Sequence, residues 1–269
     1  MTAFQTIRIE QDTRGVARLM LARAGSHNAL DAAMIRELRA AVAKLGADPS
    51  VRVVVLAADG KSFCAGADLN WMRDMAGKDR AGKLAEASEL AHLLRDLNTL
   101  PKPVIARVHG SAYGGGVGLM SVCDVVIVAD SARFALTEVR LGLIPATIAP
   151  YVIARIGEAA ARRMILTGSV IDAAEAKLVG LASIVTTGDT LDSTVAAEIG
   201  ACLMSAPGAI ADAKALCLYL ARNIASDPSG LTAARLADRW ETDEARAGMD
   251  SFLSRQASPW AANTEESGA

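Results

Sequence analysis

Three short runs rich in β-branched residues constrain this chain more than any other feature. They are Val51–Ala57 (VRVVVLA), Val104–Val108 and Val125–Val128. Each is short for a globular helix and, apart from Arg52 and Arg107, apolar at successive positions, as expected of a strand covered on both faces. Helical patterns lie between them. Asp31 is placed to N-cap a helix that ends at Gly46, with Met34, Ile35, Leu38, Val42 and Leu45 on one face. A second helix is predicted over 81–100, stopped by Pro101 and Pro103. Strand, helix, strand in this order predicts an α/β layer structure with parallel crossovers.

Two further strands, IRIEQ and VARLML, are predicted within residues 4–21, joined by a turn at Asp12–Gly15. Another is predicted at Phe134–Leu136. From Ala149 onward the spacing is helical, over 149–156, 158–166, 172–178, 190–205, 207–225 and 231–246. This shift sets the expected organisation: a core over 1–200, a helical region over 201–258 and a small polar tail, 259–269, expected to be disordered.

Composition enters by exclusion. With 52% hydrophobic and 22% charged residues, the chain has ample apolar surface to offset the entropy of folding. A net charge of −2 argues against a basic nucleic-acid-binding surface. The first residues, MTAFQTIRIEQD, lack the basic-then-apolar pattern of a signal peptide. The most apolar run, Val117–Ala129, is broken by Asp124 and is too short to span a bilayer. Cys64, Cys123, Cys202 and Cys217 form no CxxC pair and read as buried free thiols. A cytoplasmic protein with no nucleic-acid or membrane partner is therefore expected.

Two glycine loops follow buried strands and open helices. The first, residues 63–69 (FCAGADL), lets a ligand approach the main chain at Gly66 between Ala65 and Ala67. The second, residues 113–118 (YGGGVG), carries glycines that helix propensity disfavours by about 1 kcal/mol each. Two such turns on adjacent parallel strands can aim two N–H groups at one ligand oxygen, as an oxyanion hole does. Tight helix–strand packing explains either loop equally well. A dinucleotide or phosphate site is disfavoured, because GxGxxG and the P-loop Lys-Ser/Thr are absent. Glu138 lies in an apolar stretch, where burial would raise its pKa toward that of a general base; an ion pair with Arg133 or Arg140 is the alternative. His27, His92 and His109 show no metal spacing, and no GxSxG or Ser–His–Asp arrangement is present.

Taken together, the motifs resemble the enoyl-CoA hydratase/isomerase, or crotonase, superfamily from about residue 5 to about 257. The carriers are Ser26–Leu30 (SHNAL), Ser62–Leu69 (SFCAGADL), Pro101–Gly110 (PKPVIARVHG) and Gly114–Leu119 (GGGVGL). Cys123-Asp124, Phe134 with Glu138 and Gly142–Pro145 (GLIP), and Leu166–Gly168 (LTG) complete the pattern. The resemblance implies an α/β fold, a crotonase-like spiral of ββα turns with a C-terminal helical trimerisation region, assembled as a homotrimer or homohexamer. It implies an acyl-CoA thioester substrate and no cofactor, CoA being part of the substrate. Matched by motif, the oxyanion-hole N–H groups are those of Ala67 and Gly115, and Glu138 is the catalytic acid–base. CoA and substrate contacts fall on Ala24, His27, Ala65, Asp68, Leu69, Trp71, Gly114, Gly118 and Phe252, the last often reaching a neighbouring subunit's site in this family.

The chain departs from the hydratase pattern at one position. Family hydratases hold water between two glutamates; the second matches Glu138, while the first would stand at Gly118. A single carboxylate fits either syn hydration of a 2-enoyl-CoA or the proton shuttle of a Δ3-Δ2 enoyl-CoA isomerase. A non-catalytic acyl-CoA- or RNA-binding member is the reading from another class. Residues 67–72 (ADLNWM) and 142–151 (GLIPATIAPY) are similar to the bacterial branch of methylglutaconyl-CoA and isohexenylglutaconyl-CoA hydratases of leucine and terpene breakdown. That branch favours hydration. The extra carboxylate of such a substrate needs a cation, for which Arg73 and Arg140 are candidates, and Trp71, Met72 and Met75 are candidates for the acyl pocket.

Overall fold

The structure, a computed structural model, describes residues 4–222 and 227–261. The chain opens with β1 (Ile7–Gln11), β2 (Val16–Leu21) and α1 (Ala32–Ala47), then β3 (Val53–Ala58), α2 (Leu69–Gly77) and α3 (Arg80–Asn98). β4 (Val104–Val108), β5 (Ala112–Tyr113), α4 (Gly115–Ser121), β6 (Val125–Ala129) and β7 (Arg133–Ala135) follow. The rest is α5 (Ala149–Thr167), β8 (Ile171–Asp172), α6 (Ala173–Leu178), β9 (Ile184–Thr186), α7 (Leu191–Leu203), α8 (Pro207–Arg222), α9 (Ser229–Trp240) and α10 (Asp243–Leu253).

The main sheet has the order β1-β2-β3-β4-β6-β9, antiparallel only between β1 and β2. The three β-branched runs are its central strands, adjacent and parallel. β3 is buried throughout, and its residues sort by parity. Val54, Leu56 and Ala58 enter the larger core with α1, α3, α4 and α5, while Val53, Val55 and Ala57 enter a second core with α7. This two-sided burial is why the run carries no polar alternation. A small second sheet, β5-β7-β8, stands beside the main one.

Asp31 caps α1 as expected, its side chain accepting from the Met34 N–H. The expected break between 156 and 158 is present at Gly157, whose φ of 76° and ψ of 161° interrupt α5. One expected helix, 231–246, is divided instead. α9 stops at Trp240, and Thr242 caps a new helix by accepting from the Ala245 N–H. The last residues of the expected helix 207–225 fall partly outside the described residues, as does 262–269 of the expected tail. Within that tail, Trp260 packs on Gly248 and its indole N–H donates to the Met204 carbonyl at 2.9 Å. Residue 200 lies within α7, whose Leu203 is buried against the sheet.

Cys64 and Cys123 are buried free thiols pushed up to about 12 by desolvation. Cys202 is half-buried, and Cys217 is exposed, contrary to the expectation for all four, because α8 turns that position outward. Among the described residues, no single helix is long and apolar enough to cross a membrane.

Candidate active site

The two glycine loops meet because β3 and β4 are neighbours in the sheet. Residue 67 forms a parallel bridge with Leu30, in which the flanking residues carry the hydrogen bonds. Leu30 donates to the Gly66 carbonyl at 2.7 Å and Asp68 donates to the Leu30 carbonyl at 2.9 Å. The intervening Ala67 N–H therefore points the other way, and it has no acceptor among the described residues. Gly115 opens α4, where the first N–H groups have no partner within the helix. The loops approach so closely that a Cβ on Gly66 would lie 3.0 Å from the Tyr113 carbonyl oxygen.

Gly114 joins these loops to the acid. Its φ of 47° and ψ of −114° favour glycine, and a Cβ there would stand 2.8 Å from Glu138 Oε1. Glu138 begins a short 3-10 helix over Glu138–Leu141 that hangs from β7. Its Oε2 is buried and has no hydrogen-bond partner among the described residues. Neither arginine offered as an ion-pair partner reaches it. Arg133 donates to the carbonyls of residues 130–132, and Arg140 lies against Gly168. Desolvation consequently raises the Glu138 pKa, only partly offset by its own backbone N–H.

A cavity of about 610 Å³ collects these groups. Of the residues singled out in the sequence, Ala65, Ala67, Leu69, Trp71, Met72, Met75, Gly114, Gly115 and Glu138 all line it. Ala24, His27, Asp68, Gly118 and Phe252 do not. Ala24 and His27 sit on an exposed turn tied to the cavity wall by the Ala65 N–H donating to the His27 carbonyl at 3.0 Å. Asp68 is buried and serves the loop itself. One of its oxygens accepts from the N–H groups of Asn70 and Trp71, capping α2, and the other accepts from Arg23 at 3.0 Å. Burial raises its pKa, but these bonds outweigh burial and hold it below the usual carboxylate value. Phe252 is 77% exposed on α10.

Gly118 is filled rather than vacant. A Cβ there would lie 2.9 Å from Ile148 Cβ and nearer still to Ile148 Cγ2. Ile148 itself lines the cavity, so an apolar side chain occupies the space beside the helix where a second acid would begin. Sequence inspection missed this residue, since only the fold brings it onto α4. Arg73 donates to the Asn70 side chain at 2.9 Å and, like Arg140, stays out of the cavity. The cation that does line it, Lys83, was also missed. It had no motif to mark it.

Known proteins resemble this chain over nearly its whole length. The profile of the enoyl-CoA hydratase/isomerase family matches residues 11–263. The crystal structure of an enoyl-CoA hydratase from Shewanella pealeana superposes with a TM-score of 0.92 at 36% identity, covering 96% of each chain. One from Mycobacterium smegmatis gives 0.88 at 34% identity, covering 95% of this chain and 99% of that one. Human mitochondrial methylglutaconyl-CoA hydratase is 35% identical over 177 residues, which are 65% of this chain and 51% of that protein.

Proposed function

The chain belongs to the enoyl-CoA hydratase/isomerase family, and we propose that it adds water to a 2-enoyl-CoA with Glu138 as its single acid–base. Its α/β core with a helical end is the crotonase fold of that family. The observation that carries the reading is the pairing in one cavity of a desolvated carboxylate, whose Oε2 is unpartnered, with two N–H groups that have no acceptor among the described residues.

In the proposed reaction the Glu138 carboxylate takes a proton from water while the hydroxide oxygen bonds to C3. The C2=C3 electron pair moves toward the thioester, forming an enolate whose oxygen accepts from the N–H groups of Ala67 and Gly115. Each such donor contributes about 3 kcal/mol to the transition state. The proton then passes from Glu138 to C2, which completes syn addition and restores the carboxylate. Every group required comes from the chain, the water and the thioester, so no cofactor enters.

Ala24, His27 and Ala65 are assigned to the CoA side of the site, Asp68 to holding that side in place through the α2 cap and Arg23, and Leu69 and Trp71 to the cavity wall. Phe252 is assigned to a neighbouring copy's site within a homotrimer or homohexamer built on the helical end, 201–258. The exposed apolar residues Leu236, Trp240, Met249 and Leu253 support such an assembly. The relation to methylglutaconyl-CoA hydratase supports a substrate of that type.

The lone acid also suits a proton shuttle between C2 and C4, and Ile148 beside Gly118 leaves that alternative standing. A turnover panel of crotonyl-CoA, 3-methylglutaconyl-CoA and a 3-enoyl-CoA separates the readings. Hydration of the first two is expected. Isomerisation of the third with no hydration of the others would replace hydratase by isomerase, and no turnover at all would leave a binding protein.

A further inference from the structure

The cavity wall formed by α2 and α3 is apolar except at one place. Lys83, Ala87 and Leu90 line the cavity from α3 at spacings of four and three, so they share one helix face. Burial deepens along that face, from exposed Lys83 through half-buried Ala87 and Leu90 to fully buried Leu94. Leu94 in turn approaches Gly118, at 3.8 Å from a Cβ built there. Lys83 therefore stands at the outer end of a stripe that runs inward to the helix of the second glycine loop.

Its ammonium is unengaged. Three nearby cations are matched: Lys78 holds Glu86 at 2.5 Å, Arg39 holds Glu89 and Asp96, and Arg95 also holds Asp96. Arg80 on the same helix has no ion pair among the described residues either, but it does not line the cavity, as Lys83 does. These pairs occupy the acids on α3 after Lys83, and the Lys83 side chain has no ion pair or hydrogen bond among the described residues. A cation near the start of a helix is opposed by the helix dipole, so the stability of α3 does not account for it. An alkyl tail offers this ammonium nothing, whereas a carboxylate would give a charge-assisted hydrogen bond.

We infer that Lys83 is the residue that selects a second carboxylate at the end of the acyl part. The inference rests on the hydratase reading and its glutaconyl-type substrate, and names the residue of the same site that recognises it. The competing role for Lys83 is a contact with a phosphate of CoA, which every acyl-CoA shares.

The test compares kcat/KM for glutaconyl-CoA and crotonyl-CoA, which differ by a terminal carboxylate, in wild type, Lys83→Met and Lys83→Arg. The expected result is a fall of about tenfold in the glutaconyl-to-crotonyl ratio in Lys83→Met, expressed mainly in KM, with most of it recovered in Lys83→Arg. An unchanged ratio overturns the inference, and so does an equal loss for both substrates, which would place Lys83 on CoA. These outcomes leave the hydratase reading intact as long as wild type hydrates crotonyl-CoA. If wild type hydrates neither compound, that reading falls and this inference falls with it.

Discussion

Glu138 keeps a carboxylate where burial disfavours its charge and no cation compensates. An acid whose pKa is raised by folding is held more tightly as the protonated form in the native state than in the unfolded chain. Its contribution is most favourable below the unfolded-state pKa and is lost as pH rises through the raised native value. At neutral pH the ionised group therefore works against folding. Glu138→Gln should melt higher than wild type at pH 7, with the difference shrinking toward acid pH in thermal melts followed by circular dichroism. In wild type, the acid limb of kcat/KM should lie above the ordinary carboxylate range, since protonating Glu138 removes the base. Gly118 carries the opposite lesson, because here packing excludes a functional group. Gly118→Glu should not install a second acid. It should lower stability by about 1–3 kcal/mol or more through the clash with Ile148, read as a reduced denaturation midpoint.

At the scale of elements, the site depends on how strands hand over to helices. Ala67 is free to donate because its neighbours satisfy the bridge to Leu30, and Asp68 fixes the start of α2 immediately afterward. Much of this was legible in the sequence. β-branched runs named the central strands, Asp31 and the gap at Gly157 punctuated their helices, and the glycine loops 63–69 and 113–118 with the apolar setting of Glu138 marked the segments that converge. The remainder was hidden for physical reasons. β5 and β8 have two residues each, too few for a period to show, and the Thr242 cap that separates α9 from α10 lies inside one continuous helical pattern. Lys83 and Ile148 follow no local rule, because their roles come from which elements the fold sets face to face. Gly157 offers a clean check on the punctuation. A Cβ there meets nothing within 4 Å, so only its left-handed φ of 76° opposes a side chain. Gly157→Ala should cost about 1–3 kcal/mol in chemical denaturation while leaving KM unchanged.

At the scale of the molecule, one sheet serves two tasks. One face packs α1, α3, α5 and α4, the helix that the second glycine loop opens, and the other packs α7, which leads into the helical end. That end is stitched to the core by Arg52, which donates to the carbonyls of Leu203, Ser205 and Trp260, and by Lys214, which holds Asp124 at 2.7 Å. The apolar excess of the composition thus fills two cores and still leaves Leu236, Trp240, Phe252 and Leu253 exposed on the last two helices. The chemistry this scaffold holds in place comes down to one carboxylate. Its most direct test is crotonyl-CoA hydration by wild type and Glu138→Gln, measured beside calorimetric titration with the unreactive saturated analogue butyryl-CoA. The expected result is a loss of kcat of about 10²–10⁴-fold with butyryl-CoA affinity retained. Hydration by Glu138→Gln at the wild-type rate would contradict it.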